Sequence, residues 1–163
     1  MYEQYYGFRE KPFNLTPDPT FLYLSEKHKD AFAHLLYGIR NRSGFIMVTG
    51  EIGTGKTTIC RSLLSRLDPE TEIAFIFNPI LSAEELLRTI NQDFGIDSKG
   101  ATVKDLIDEL NSYLLQRASE GKNCVLVIDE AQNLDPKVLE QVRLLSNLET
   151  ETQKLLQIVL IGQ

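Results

Sequence analysis

Eight consecutive residues carry a chemistry of their own. Gly50-Glu51-Ile52-Gly53-Thr54-Gly55-Lys56-Thr57 has the G-x-x-x-x-G-K-[ST] spacing of a phosphate-cradling (Walker A) loop. Glycines leave no Cβ between the backbone N–H groups and an approaching phosphate oxygen. Lys56 would reach the β- and γ-phosphates of a nucleoside triphosphate, and Thr57 would put its hydroxyl on Mg²⁺. Thr58 adds a backbone N–H and a hydroxyl for the α-phosphate. Residues 50–58 are therefore the candidate site for ATP, with Mg²⁺ as its cofactor.

A second signal lies downstream, in Val125-Leu126-Val127-Ile128-Asp129-Glu130. Four apolar residues read as a buried strand, and two carboxylates stand at its C-terminal end, the edge at which open parallel sheets bind ligands. One carboxylate suits the Mg²⁺ shell, and its neighbour can orient and partly deprotonate an attacking water. Asp129 takes the metal role and Glu130 the water role. Gln163 ends a later strand. In ATPases with this Asp-Glu pair that strand lies between the other two, so its tip faces the γ-phosphate. Gln163 is thus a third catalytic candidate beside Lys56 and Glu130, for sensing the phosphate or holding the water.

These side chains need a frame, and the hydrophobic pattern supplies one. Apolar runs at Phe45–Thr49, Ile73–Phe77, Cys124–Ile128 and Leu156–Ile161 read as strands. Between them lie helical patterns: one capped by Ser25 with Phe32, Leu35, Leu36 and Ile39 on a face, and one after the phosphate loop with Ile59, Leu63, Leu64 and Leu67. Further helices are capped by Ser82 and stopped at Gly95, run from about Thr102 to Ser119, and cover Asp135–Leu148. Strands alternating with helices predict a parallel sheet covered on both faces, an α/β three-layer αβα P-loop NTPase. The 163 residues suit a single domain, with residues 1–43 as an N-terminal segment plus helix and residues 44–163 as the phosphate-loop core.

Composition narrows the classes. A net charge of −6 does not advertise a nucleic-acid footprint, and no apolar run approaches the length of a membrane span. Cys60 and Cys124 are too few for a zinc or disulfide framework and read as buried reduced thiols. His28 and His34 read as surface residues on one polar helix, and Arg143 as a surface or salt-bridging residue. The balance points to a cytoplasmic protein. Met1–Leu24 combines Pro12, Pro17 and Pro19 with seven aromatic residues. It reads as irregular, yet packed, against the domain flank or as a wall for adenine.

The residues so far resemble one family as a set. Tyr5-Tyr6-Gly7-Phe8, Lys11-Pro12-Phe13, Pro17-Asp18-Pro19 and Leu35-Leu36-Tyr37-Gly38-Ile39 precede the loop. Asp129-Glu130-Ala131-Gln132-Asn133-Leu134, Leu144-Leu145-Ser146-Asn147-Leu148-Glu149 and Leu156 to Gln163 follow it. The chain is similar throughout to the AAA+ ATPase domain of the general secretion pathway protein A (ExeA-type) family. The resemblance implies a Mg²⁺-dependent ATPase, of AAA+/ASCE type, coupled to assembly of a type II secretion, pilus or exopolysaccharide export apparatus. It also implies self-association of the full-length protein and an inner-membrane or secretion partner. Relative to that pattern the chain stops before a fifth strand, the lid with its sensor arginine and any arginine finger. It is therefore expected to be a piece of a longer protein, to leave Phe45–Thr49 as an open sheet edge, and to hydrolyse ATP slowly by itself. The alternative is a DNA-associated ATPase subunit of a transposition system, which shares much of the core.

Overall fold

The computed structural model describes residues 2–9, 23–100 and 102–163. Pro12, Phe13, Pro17, Pro19 and Phe21 of the aromatic segment lie outside the described residues. Among the described residues four strands, β1 (Phe45–Thr49), β2 (Thr71–Ile76), β3 (Asn123–Ile128) and β4 (Leu156–Gly162), form one sheet in the order β1-β4-β3-β2. Every pairing is parallel. The last strand in the chain therefore sits between the strand that feeds the phosphate loop and the strand that ends in Asp129, as the sequence predicts.

Helices α2 (Glu26–Arg40) and α3 (Lys56–Leu64) cover one face; α4 (Ala83–Asp93), α5 (Val103–Ser119) and α6 (Pro136–Leu145) cover the other. The alternation of side chains along a strand explains the division. On β3, Val125 and Val127 pack with Leu35, Ile39 and Leu63 of the first layer. Cys124, Leu126 and Ile128 pack with Leu87, Leu110 and Val142 of the second. A strand buried on both faces has no polar alternation, which is why β3 reads as a continuous apolar run.

Local chemistry sets the helix ends. The Ser25 hydroxyl accepts a hydrogen bond from the His28 N–H to start α2. Ser82 and Glu85 form a reciprocal capping box at α4, as Thr102 and Asp105 do at α5. Asp135 caps α6, and Pro136 fits its first turn, where no intrahelical N–H is needed. This helix is shorter than the periodicity predicts, because Ser146 takes the C-cap position and donates its hydroxyl to the Arg143 carbonyl. The second strand starts two residues earlier than expected, since Thr71 and Glu72 pair with Asn123 and Cys124 although neither is apolar.

The N-terminal reading needs a larger correction. Tyr2–Tyr6 is a short helix, α1, formed well before the first proline. Tyr5 and Tyr6 are 83% and 67% exposed; Tyr5 meets Tyr6 edge-on, and Tyr6 stacks on Phe8. Strand β1 pairs with β4 along one side only among the described residues, and Met47 on it is 73% exposed.

Leu126 is fully buried on the sheet face covered by α4, α5 and α6. Leu126→Ala is expected to lower the unfolding free energy by about 3 kcal/mol, the sum of lost transfer energy and the cavity left behind. Urea unfolding followed by circular dichroism measures this; a loss below about 1 kcal/mol would contradict the packing described.

Candidate functional site

The loop Gly50–Thr57 spans the turn from β1 into α3, and backbone geometry decides its shape. Gly53 and Gly55 have φ of 76° and 81°, a region costly for any residue with a Cβ. Gly55 occupies the N-cap of α3, and no side chain caps that helix. The first-turn N–H groups of Lys56, Thr57 and Thr58 are thus unclaimed by a cap, at the end where a helix favours anions. Within the loop, Thr54 Oγ1 donates to the Glu51 carbonyl at 2.8 Å. The Lys56 ammonium donates to the carbonyls of Gly50 and Glu51, both at 2.7 Å. Thr49, Gly50, Glu51, Ile52 and Gln163 line an open cleft of about 640 Å³, within the range of small-molecule sites.

Parallel register brings the second motif to the same edge. The Asp129 N–H donates to the Ile76 carbonyl at 2.9 Å, so the β2–β3 ladder runs up to the carboxylate. Asp129 is only 6% exposed. Its Oδ2 accepts from the Thr57 hydroxyl at 2.8 Å and its Oδ1 from the Glu130 N–H at 2.9 Å. Two residues 72 positions apart in sequence are therefore in direct contact. Among the described residues no group of three or more His, Cys, Asp and Glu side chains is placed to hold a metal. One carboxylate and one hydroxyl fit Mg²⁺, which takes few protein oxygens and keeps water and phosphate oxygens for the rest of its shell.

Glu130 leaves the strand with φ 52° and ψ 39°, a left-handed conformation in a residue with a Cβ. The chain then makes one 3₁₀ turn, Ala131–Asn133. Gln132, on that turn, donates its side-chain amide to Glu130 Oε2 at 2.6 Å. Its amide oxygen accepts from the Gln163 N–H at 3.3 Å. Gln163 thus stands just past the end of β4, beside the loop.

Two residues of this neighbourhood escape the sequence reading. Gln132 lies inside the Asp129–Leu134 motif, but nothing in its spacing announces a contact to Glu130. His28 reads as a surface residue, whereas the structure half-buries it with Nε2 3.0 Å from the Thr54 carbonyl of the loop. Ser25 sets that contact by starting α2 beside the loop. Arg143 is, as read, a salt-bridging residue, paired with Glu140 at 2.8 Å.

Fold and site together define a P-loop NTPase: a parallel αβα sheet with a G-x-x-x-x-G-K-T turn after β1 and an acidic pair after β3. The chain belongs to the AAA domain family, whose model matches residues 39–163. Over its full length it is 51% identical, across 164 aligned residues, to the general secretion pathway protein A of Aeromonas hydrophila, of which it spans 30%. Its fold is similar to that of the CDC6p of Pyrobaculum aerophilum, with a TM-score of 0.68 and 21% identity over 94% of this chain and 41% of that one. It is also similar to that of the Aeropyrum pernix ORC2 protein in its ADPNP–ADP complexes, with a TM-score of 0.65 and 15% identity over 92% and 44%.

Both cysteines are free and buried, as expected. Burial, with the Asp129 charge adding to it, pushes the Cys60 thiol up to about 12, and burial pushes Cys124 up to about 11. At pH 8 less than about one in a thousand of either thiol is the reactive thiolate. A chromogenic disulfide reagent at pH 8 is expected to modify neither cysteine until denaturant is added; rapid labelling of the native protein would contradict this burial.

Proposed function

We propose that this domain binds Mg·ATP in the loop Gly50–Thr58 and hydrolyses it, and that the full-length protein couples the reaction to assembly of a type II secretion or related pilus or exopolysaccharide export apparatus. The observation that carries the reading is the 2.8 Å hydrogen bond between Thr57 and Asp129. It joins the end of the loop to the end of β3 and pairs the hydroxyl and the carboxylate that would hold a divalent ion.

The residues divide the work. In the loop that starts at Gly50, the backbone N–H groups of Glu51, Ile52, Gly53 and Gly55, with those of the first turn of α3, surround the phosphates. Thr58 adds its N–H and hydroxyl toward the α-phosphate. The Lys56 ammonium exchanges its carbonyl partners for β- and γ-phosphate oxygens, a stronger charge-assisted pairing. Thr57 and Asp129 would hold Mg²⁺, which would supply charge neutralisation for the phosphates. Glu130 accepts a proton from water and aims its oxygen at the γ-phosphorus. Gln163, at the tip of the strand between the two motifs, meets the γ-phosphate or the water from the side.

The export role is supported by the 51% identity along the whole chain to a general secretion pathway protein A. ATP as the substrate puts the domain on the cytoplasmic side, with a membrane-associated or secretion partner and self-association supplied through the full-length protein. Residues 1–163 act as one ATPase unit.

Glu130→Gln in the full-length protein is expected to bind Mg·ATP with wild-type affinity while phosphate release slows by about 10²-fold, the scale of losing a general base. Chelation of Mg²⁺ should abolish release in the wild type. A variant that loses binding and turnover equally would show Glu130 to be structural.

A further inference from the structure

We propose that Gln132 is a positioning residue for ATP hydrolysis: its amide ties the Glu130 carboxylate to the tip of β4 and fixes the direction from which that carboxylate meets the attacking water. The proposal rests on the reading of Glu130 as the water-orienting residue and adds the group that holds it.

The geometry is specific to a side-chain amide. Gln132 donates through Nε2 to Glu130 Oε2 at 2.6 Å and accepts through Oε1 from the Gln163 N–H at 3.3 Å. A carboxylate only accepts and a backbone N–H only donates, so one orientation of the amide satisfies both partners. Among the described residues, Gln132 is the one hydrogen-bond donor to the Glu130 carboxylate. Glu130 is exposed, at the end of its strand and in a left-handed conformation. No packing restricts the torsions of such a side chain, and a base that samples several directions spends little time in the productive one.

The other end of the clasp is anchored to the loop. The Gly162 carbonyl accepts from the Gly50 N–H at 3.3 Å, which joins the tip of β4 to the first residue of the phosphate loop. Gly162 also makes room for the clasp, because a Cβ there would lie 3.0 Å from Gln132 Oε1 and 3.5 Å from the Gln132 nitrogen. Hydrogen bonds and two adjacent residues thus connect Gly50 to Glu130 through Gly162, Gln163 and Gln132. The loop that receives the phosphates and the carboxylate that serves the water are held in one frame.

The test is a double-mutant cycle in the full-length protein, reading single-turnover ATP hydrolysis, KM and Mg·ATP affinity. Gln132→Ala is expected to slow hydrolysis about tenfold, the scale of one hydrogen bond to a charged group, with KM and affinity within about twofold of wild type. Gly162→Ala, which crowds the amide from β4, should reproduce that pattern. In the Glu130→Gln background, Gln132→Ala should cause no further loss, since its effect passes through the carboxylate. Wild-type turnover by Gln132→Ala beside a slow Glu130→Gln would overturn the role of Gln132 alone. Loss that multiplies in the double variant, or that falls equally on affinity, would overturn it too. Wild-type turnover by Glu130→Gln would overturn the reading of Glu130 and this proposal with it.

Discussion

A carboxylate that is nearly out of water needs hydrogen bonds in place of hydration, and Asp129 finds both within the site. The Thr57 hydroxyl satisfies one oxygen and the Glu130 N–H the other. Everything else in the domain serves to bring these partners together. The hydroxyl comes from the first turn of α3, after the loop has reversed the chain through two left-handed glycines. The carboxylate comes from the end of a strand buried on both faces. They meet because β1 and β3 run parallel on either side of β4, so their C-terminal ends fall on one edge.

Much of this was legible in the residues. Phe45–Thr49 is a strand with the limits its apolar run implies, and Ser25, Ser82 and Thr102 cap helices as their residue types suggest. Signals of this kind are local: an apolar run bounded by glycine, or a hydroxyl three residues before a carboxylate. The order of the strands was readable for another reason. Crossovers between parallel strands have few allowed arrangements, and the Asp-Glu pair selects among them.

What stayed hidden depends on contacts between distant segments or on backbone states without a residue signature. Glu130 adopts a left-handed conformation that neither its identity nor its neighbours advertise. The Gln132 clasp needs the tip of β4 beside the 3₁₀ turn, a separation of 31 residues. His28 touches the loop only because α2 packs against α3, and its helix looks polar when read alone. Tyr2–Tyr6 misleads in the opposite way. Apolar content argues for burial, but in this one-turn helix Tyr5 meets Tyr6 edge-on and Tyr6 stacks on Phe8, while both tyrosines stay largely exposed.

In the proposed Mg·ATP site, formed by the loop and the Thr57–Asp129 pair, Lys56 is the side-chain cation for the phosphates. Isothermal titration of Mg·ATP into the wild-type protein and into Lys56→Ala tests it most directly. The wild type is expected to bind at one site per chain and the variant to give no measurable heat of binding, with both proteins equally folded by circular dichroism. Binding of Mg·ATP by Lys56→Ala with wild-type affinity would contradict it.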